Sequence, residues 1–321
     1  MMSPSRKGAP GRGGLKSNAV GLTSSIVMSV ILMSPGVSVY INGPVIAGSV
    51  GPAVPLIFLL AMLAILPTGW ALAQYSRKIS SAGSYYAFVE RAAGRTWAFL
   101  TGWALFGAYG LLAIGGSASF GGYVAMVAHQ RGWGSFSWFW PTVIGAIIAV
   151  LLSIRGIKAS EVASIIMLGI EMVLLLVVSI VVFITGGNAG FSAKPFLFSA
   201  VTGGVSSVRL ALIFGVLSFI GFSVSASLAE ETKDPTRTVP RAILGGIVAI
   251  GVVLIVCSYA AVLGYGVSHT GQFAGDAAAI DTLTDRYLGG ISVVADLIIF
   301  NSIFGAVLSS IHRCDGVVSA S

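Results

Sequence analysis

Long apolar runs occupy most of this chain of 321 residues, and they limit what it can fold into. A helix of about 20 mostly apolar residues is long enough to cross the hydrocarbon core of a bilayer. Runs close to that length alternate here with short polar or charged segments. The pattern predicts an all-α integral membrane protein with eight spans, at residues 19–41, 53–75, 96–127, 136–153, 160–186, 209–229, 241–267 and 290–312.

The composition supports a membrane protein and argues against several other classes. Hydrophobic residues make up 56% of the chain and charged residues only 9%, whereas an ordinary soluble domain has about 25% charged residues. The basic residues lie between the apolar runs and form no aromatic-interleaved patch, so no nucleic-acid partner is expected. The sequence has no HExxH, GxSxG or Walker pattern, and its two cysteines form no ligand cluster. Neither an enzyme, a metal site nor a cofactor is therefore expected.

The basic residues are divided unequally between the two sides of the predicted topology. If the N-terminus is cytoplasmic, 14 of the 18 Lys and Arg residues fall on the cytoplasmic side. The remaining four are Arg131, Lys194, Arg209 and Arg286. Since cytoplasmic loops are enriched in Lys and Arg, the chain is predicted to lie in the plasma membrane with its N-terminus in the cytoplasm.

Two of the predicted spans contain residues that interrupt a helix near its middle. The first span contains the run Ser34, Pro35, Gly36, Val37 and Ser38. Proline removes a backbone N–H and clashes with the preceding turn, and glycine is conformationally permissive, so the helix is expected to break here. Each break taken alone is also compatible with an ordinary kinked membrane helix.

The second interruption lies in the sixth predicted span, at Phe219, Ile220, Gly221 and Phe222. A break inside the bilayer is tolerated only where it is buried in protein or lines a cavity. The first break is expected to present N–H groups near Gly36 and Ser38 to a substrate carboxylate. Carbonyl groups at Ser34, Phe219 and Ile220 are expected to accept hydrogen bonds from a substrate ammonium. Interrupted helices of this kind form midplane binding sites in many secondary transporters.

A long motif begins at this second break. Residues 217–242 read LSFIGFSVSASLAEETKDPTRTVPRA. The pattern F-x-G-F, small residues and then A-E-E-T-K-x-P-x-R-x-V-P-R-A closely resembles the sixth span and following loop of amino acid permeases in the amino acid–polyamine–organocation superfamily. The resemblance implies a LeuT-like fold of five-plus-five inverted repeats. It also implies secondary transport of amino acids or related amines by alternating access, coupled to protons.

Other stretches resemble this family with local departures. Residues 80–103 resemble the family's turn into the third span, and Tyr109, further along that span, is a candidate to line the substrate site. An aromatic residue packed between helices is the alternative for Tyr109. Ser34 and Pro35 replace the first two residues of the family's G-S-G pattern. Ser223 stands where many relatives have an acidic residue, so a strongly cationic substrate is not favoured.

Two acidic residues fall within predicted spans. Glu171 lies near the centre of the fifth span, where an ionisable side chain is costly and usually functional. It lies 13 positions after Lys158, and proton-coupled relatives have a lysine at the corresponding point. Glu171 is therefore a candidate for proton coupling, and the alternative is a protonated glutamic acid that joins two helices. Asp296, in the eighth span, is expected to be a solvated vestibule residue.

The charged loop after the sixth span is the candidate cytoplasmic gate. The resemblance implies that Glu230, Glu231, Arg237 and Arg241 contribute to this gate by pairing with other cytoplasmic segments. A solvated charged face is the alternative.

The domain organisation follows from these assignments. Residues 1–18 are expected to form a disordered cytoplasmic tail, and residues 19–312 the permease domain. The first repeat is expected at about 19–186, a partial second repeat at about 209–312, and an aberrant tail at 313–321. Because family members usually have about twelve spans, the chain is expected to be truncated. A non-transporting fragment is the alternative function, and a second polypeptide that supplies the missing spans is a candidate partner, besides the substrate and the lipid bilayer.

The predicted topology can be tested with reporter fusions at residues 235 and 275. We expect the two fusions to report opposite sides of the membrane, because one predicted span separates them. Fusions that report the same side would contradict this topology.

Overall fold

The computed structural model describes residues 21–78, 84–155, 158–188, 190–227, 232, 234–290 and 292–320. Within these ranges the regular elements are helices, which confirms the predicted all-α class. The helices are α1 Leu22–Met33, α2 Pro35–Val37, α3 Gly43–Val50, α4 Val54–Lys78, α5 Ser84–Ala93, α6 Arg95–Gln130, α7 Phe139–Arg155, α8 Lys158–Thr185, α9 Gly204–Leu217, α10 Val224–Ser227, α11 Pro235–Tyr265, α12 Thr270–Gly275, α13 Ala279–Leu288 and α14 Ser292–Ala320. Short 3₁₀ turns add Lys194–Phe196, Phe198–Ala200 and Val267–His269.

Five of these helices contain segments long and apolar enough to cross a membrane. They are Val54–Lys78, Arg95–Gln130, Leu168–Thr185, Pro235–Tyr265 and Ser292–Ile311. Two shorter apolar helices, Phe139–Ser153 and Gly204–Leu217, coincide with parts of the fourth and sixth predicted spans. The first and sixth predicted spans are divided into shorter helices, so neither of them appears as one long helix.

The first predicted span is interrupted where the sequence indicated. Helix α1 ends at Met33, and Ser34 adopts a left-handed conformation with φ 41° before Pro35 begins α2. A π-helical turn, Ser38–Asn42, leads directly into α3. The helical path continues to Val50 and ends at Gly51, which has φ 65°. The span was predicted to end at residue 41, but Pro44 lies in the first turn of α3, directly after the π-helical turn, and the helix continues through it.

The sixth predicted span is also interrupted where expected. Helix α9 ends at Leu217, a turn follows, and α10 begins at Val224. Gly221 has φ 120°, a conformation that residues with a Cβ rarely adopt. The next long helix begins with Pro235 in its first turn, preceded by Asp234 in a left-handed conformation.

The helices pack around an apolar core, with α4 against α11 and α6 against α14 as the most extensive pairs. Phe58 of α4 and Ile243, Ile247 and Leu254 of α11 are fully buried. Lipid is as apolar as these side chains, so close approach of the helices stabilises the pairing more than burial does. Large exposed side chains such as Leu111 and Ile114 of α6 are then suited to contact lipid.

The ends of several helices meet on one face of the molecule. The backbone N–H of Thr202 donates to the carbonyl of Val50 over 3.2 Å, and that of Asn188 donates to Leu263 over 2.9 Å. On the same face, α12 packs against α3, and α13 packs against α8 and α14. Helix α14 continues to Ala320, through the residues where a C-terminal tail was expected. The predicted N-terminal tail lies outside the described residues.

The contact between α6 and α7 is especially close at Gly121. A Cβ added there would lie 2.4 Å from the carbonyl oxygen of Trp138 and 2.7 Å from the backbone N of Thr142. At the adjacent Gly122, an added Cβ meets nothing within 4 Å.

These two glycines therefore form a matched pair for testing the packing. We expect Gly121→Ala to lower the free energy of unfolding by about 1–3 kcal/mol, because the backbones must separate. We expect Gly122→Ala to be neutral or slightly stabilising, since alanine favours helix. Thermal unfolding in detergent measures both variants, and equal stability of the two would contradict the described α6–α7 contact.

Candidate functional site

The two interrupted spans lie side by side and run antiparallel. The side-chain amide of Asn42 donates to Ser218 Oγ over 3.0 Å, beyond the break in the first span and just before the break in the sixth. On the other side of the breaks, Ser29 Oγ and Ser225 Oγ are 2.5 Å apart. The tertiary structure thus brings the two breaks to the same depth between two polar contacts.

The backbone groups at the first break are largely bonded within the protein. The Ser38 N–H donates to the Ser34 carbonyl over 3.0 Å, and the Ser38 hydroxyl donates to the Met33 carbonyl over 3.0 Å. The Ser34 hydroxyl donates to the Ser302 carbonyl on α14 over 3.1 Å. The sequence led us to expect free groups at Ser34 and Ser38, but the Ser38 N–H bonds the Ser34 carbonyl across one helical turn, and both hydroxyls find carbonyl acceptors.

Glu171 is the residue that links the first break to its surroundings. It lies on α8 with only 2% of its surface exposed. Its Oε1 accepts the Gly36 N–H over 2.6 Å and the Ser302 hydroxyl over 2.9 Å. One carboxyl oxygen therefore joins α8, the break and α14, and it takes the N–H that was expected to be available to a substrate.

Gly36 is suited to this contact because it lacks a side chain. A Cβ at this position would lie 2.8 Å from Glu171 Oε1 and 3.1 Å from Ile299 Cδ1. Pro35 and Gly36 are buried, and Val37 is half-buried against the core. The glycine therefore permits the carboxyl to approach the backbone.

The break in the sixth span contributes aromatic side chains and a tight turn. Phe219 is fully buried and Phe222 nearly so, while Ile220 is half-buried. The Phe222 N–H donates to the Phe219 carbonyl over 3.3 Å, and the Ile220 N–H to Leu217 over 3.1 Å. The Phe219 carbonyl is therefore already an acceptor within the turn. The left-handed backbone of Gly221 makes the turn possible.

The remaining candidate residues are placed as follows. Tyr109 is buried on α6, a helix that packs mainly against α14. Its predicted place in the substrate site stays a prediction. Arg237 and Arg241 are exposed near the start of α11. Glu230 and Glu231, the acidic half of the predicted gate, lie outside the described residues.

Sequence reasoning missed several polar contacts of the site. Ser302, Asn42, Ser218, Ser29 and Ser225 were not singled out. A serine in a membrane helix commonly bonds the carbonyl one turn back, as Ser218 does with Phe214 over 2.9 Å. Such residues carry no pattern that distinguishes a contact between helices, so no signal in the sequence identified these five.

The expectation for Asp296 was wrong. Asp296 is 2% exposed, and it pairs with Arg131, whose Nε donates to its Oδ2 over 2.8 Å. A solvated position was expected because the sequence does not show that the end of α6 lies beside the start of α14. Arg131 reaches Asp296 from the end of α6 and replaces water as its partner.

The arrangement is suited to binding and releasing a small solute. It combines two broken helices at one depth, apolar and aromatic residues, and a buried carboxyl bonded to backbone at one break. Broken helices in a membrane protein typically form substrate and ion sites. The fold and these interrupted helices define the chain as a multi-pass membrane protein of an all-α class.

Comparison with known proteins identifies the family. Residues 19–312, nearly the whole chain, match the amino acid permease family. The chain therefore belongs to the amino acid permease family, and its relatives are transporters rather than enzymes. This confirms the predicted membership of the amino acid–polyamine–organocation superfamily.

Individual relatives transport different solutes. The branched-chain amino acid permease BcaP of Bacillus subtilis (strain 168) is 30% identical over 71% of this chain and 50% of its own length. The serine/threonine exchanger SteT of the same organism is 27% identical over 89% of this chain and 63% of its own length. The low-affinity putrescine importer PlaP of Escherichia coli (strain K12) is 26% identical over 74% of this chain and 52% of its own length. The chain thus spans about half to three fifths of these relatives.

The contact between Gly36 and Glu171 can be tested by a double-mutant cycle. We expect Gly36→Ala to destabilise the protein, because the added Cβ displaces the Glu171 carboxyl from the Gly36 N–H. In a Glu171→Ala background the same change should cost less, with a coupling energy of about 0.5–3 kcal/mol. Thermal unfolding in detergent measures all four proteins.

The control for this cycle is Gly48→Ala, which lies further along the same span. A Cβ at Gly48 would make an ordinary contact of 3.7 Å with Ala274. Its effect should be small and independent of Glu171. Additive effects of Gly36→Ala and Glu171→Ala would show that the two residues do not interact.

Proposed function

We propose that the chain is the permease part of a secondary active transporter for amino acids or related amines. It works by alternating access within a LeuT-like arrangement and is coupled to protons through Glu171. It lies in the plasma membrane with a cytoplasmic N-terminus. The support is the family membership, the two adjacent breaks and the single buried contact between Glu171 and the first break. Since the chain spans only part of its relatives, the activity of the whole transporter belongs to this proposal.

The contact between Glu171 and Gly36 is the observation that carries the proposal. The freed N–H at a helix break favours a negatively charged partner, and Glu171 supplies one from within the protein. A substrate carboxylate needs the same donor, so the two carboxylates compete for it. Protonation weakens the acceptor strength of Glu171, since charge-assisted hydrogen bonds are the stronger ones. Uptake of a proton by Glu171 then releases Gly36 for the substrate, which links proton binding to substrate binding.

The residues near the breaks favour neutral amino acids among the candidate substrates. Phe219, Phe222, Ile220 and Val37 give apolar surroundings, and Ser223 is the residue at the position where many relatives are acidic. An apolar site favours an apolar side chain, and a site without a fixed negative charge does not favour a second positive charge. Branched-chain or small hydroxyl amino acids fit these surroundings, and a diamine fits them less well.

The polar contacts on either side of the breaks support alternating access. The Ser29–Ser225 pair and the Asn42–Ser218 pair each join one half of the first span to one half of the sixth. Neutral hydrogen bonds contribute only about 0.5–1.5 kcal/mol each, so either pair can separate at modest cost. We propose that the halves on one side move apart while the other pair stays joined. Arg237 and Arg241, with Glu230 and Glu231, form the cytoplasmic gate in this scheme.

Uptake into proteoliposomes made with the purified chain tests the proposal. A proton gradient, acidic outside, should drive accumulation of labelled leucine or threonine. Glu171→Gln should abolish the gradient-driven accumulation and keep exchange of substrate for substrate, because glutamine cannot take up the proton. The matched control is Glu90→Gln, which makes the same chemical change at an exposed residue of α5 and should leave accumulation unchanged.

The outcomes separate the parts of the proposal. Accumulation by Glu171→Gln that still follows the pH gradient would leave transport in place and remove Glu171 from the coupling. Saturable leucine binding by the purified chain without uptake in liposomes would support the alternative of a non-transporting fragment. Absence of both binding and uptake would contradict the proposed site.

A further inference from the structure

A second group of ionisable side chains lies away from the breaks, beside α12 and α13. These two short helices are joined by residues 276–278 and are called the α12–α13 hairpin. Asp281 of α13 and Asp296 of α14 face each other within hydrogen-bonding reach. Arg131 follows α6, and Tyr123 lies on α6. Asp285, one turn along α13 from Asp281, is the other charged group close enough to act on the pair. None of these residues takes part in the site at the breaks.

Asp296 and Asp281 differ in the number of hydrogen-bond donors around them. Asp296 Oδ2 accepts from Nε and Nη2 of Arg131, and its Oδ1 accepts the Tyr123 hydroxyl over 3.2 Å. Arg131 Nη2 also donates to Ser292 Oγ, over 3.4 Å. Asp281 is 9% exposed, and its Oδ1 is buried without a hydrogen-bond partner. The donors of the group therefore serve Asp296, and Asp281 keeps a buried oxygen without a donor although a second carboxyl lies close by.

This geometry is costly if both carboxyl groups are ionised. Two buried negative charges would then face a single guanidinium that is already bonded to one of them, and like charges in contact disfavour double ionisation. A proton on Asp281 removes the excess charge and supplies the missing donor. The protonated oxygen can donate to Asp296, in the manner of carboxyl pairs that share one proton. The unpaired Oδ1 thus acquires a partner.

Because the pair lies where α13 meets α14, a proton bound there affects how the α12–α13 hairpin packs. Helix α12 packs on α3, and α13 contacts the π-helical turn Ser38–Asn42, so the hairpin lies across one half of the first span. Phe273 is fully buried there, with Cζ 3.2 Å from the position of a Cβ at Gly43. Helix α13 also packs against α8 and α14, and Arg286 and Tyr287 donate to the Gly264 carbonyl of α11. Asp281 and Asp296 are the charged groups at the boundary between α13 and α14, so repulsion between them would weaken this boundary.

We propose that Asp281 and Asp296 form a proton-binding site that holds the α12–α13 hairpin closed over the first span. The proton sits between the two carboxyl groups when the hairpin is closed and leaves when the hairpin opens. The inference concerns the position of the hairpin and stands apart from the proposed transport activity. It makes this face of the protein responsive to pH, independently of Glu171.

The direction of the response follows from proton linkage. Burial, together with the adjoining Asp296 carboxyl, raises the pKa of Asp281 to about 8, and the Arg131 guanidinium partly opposes this. An exposed aspartate has a pKa of about 3.9. Closing therefore takes up a proton between these two values. The closed state is most stable at low pH, loses stability as the pH rises toward about 8, and changes little above it.

Cysteine labelling in the full chain tests the inference. The background carries Cys257→Ala and Cys314→Ala. Ala279, the first residue of α13, is only 1% exposed in the closed hairpin, so Ala279→Cys places a thiol at a buried position. Gln272→Cys places a thiol at an exposed position on the same hairpin. The ratio of the two rates with a membrane-impermeant maleimide cancels the pH dependence of thiol reactivity. We expect the ratio to rise by up to about tenfold per pH unit between about pH 5 and 8, and then to level off.

Two variants identify the group responsible. Asp281→Asn should give a low ratio that does not vary with pH, because the amide donates to Asp296 and does not titrate. Asp285→Asn is the matched control on the exposed side of α13, and it should keep the pH dependence. A constant ratio in the parent protein, or a full pH dependence in Asp281→Asn, would overturn the inference.

Two further measurements make the test independent of a single variant and a single ligand. Hydrogen–deuterium exchange of α13 in the unmodified chain, corrected for the intrinsic rate, should show the same rise in opening with pH. Labelling should also be the same in sodium chloride and in N-methylglucamine chloride. If protection at high pH instead depends on sodium, the pair binds a metal cation in place of a proton, and the inference is wrong.

Discussion

A membrane helix that breaks must find partners inside the protein for the backbone groups it leaves unpaired. In this chain the critical partner is one carboxyl oxygen of Glu171, which accepts the Gly36 N–H and the Ser302 hydroxyl. The break accounts for the carboxyl, because an isolated acid at this depth would be costly. The carboxyl likewise accounts for the break, because it replaces the water that the freed N–H would otherwise need. Each unfavourable feature is acceptable because the other is present.

The neighbouring elements are arranged around this interaction. The sixth span breaks at the same depth, and its halves are joined to those of the first span by Ser29–Ser225 and Asn42–Ser218. These neutral bonds contribute about 0.5–1.5 kcal/mol each, whereas the Glu171 carboxyl joins the first break to α8 and α14.

Helix α14 connects the two ionisable sites of the molecule. Ser302 contacts Glu171, and Asp296 contacts Arg131 and Asp281, so six positions of one helix, about 9 Å along its axis, separate the two sites. A shift of α14 would therefore alter both sites together. The physical link between the two sites is one helix, which carries Ser302 beside Glu171 and Asp296 beside Asp281.

The sequence by itself determined the class, the spans and the places where they break. Apolar runs of membrane length, Pro35 beside Gly36, and Gly221 within an apolar run are local features, and local sterics and hydrophobicity decide their outcome. The long motif at 217–242 is also a local feature, because it is one continuous stretch of sequence, and it identified the family. The predicted bounds differ from the observed ones by a few residues at most ends, and by more at Val50 and Ala320, where the helical path extends beyond the prediction.

Only the tertiary structure decided which polar groups meet. Gly36 and Glu171 are 135 positions apart, and Arg131 and Asp296 are 165 apart. A single serine, asparagine or aspartate in an apolar run can face lipid, a neighbouring helix or its own backbone, and the pattern around it is the same in each case. Whether Glu171 bonds a substrate or a backbone N–H, and whether Asp296 is solvated or paired, depends on helix packing. That packing is set by the sum of many contacts between segments that are distant in the sequence. The sequence of a single segment therefore does not reveal it.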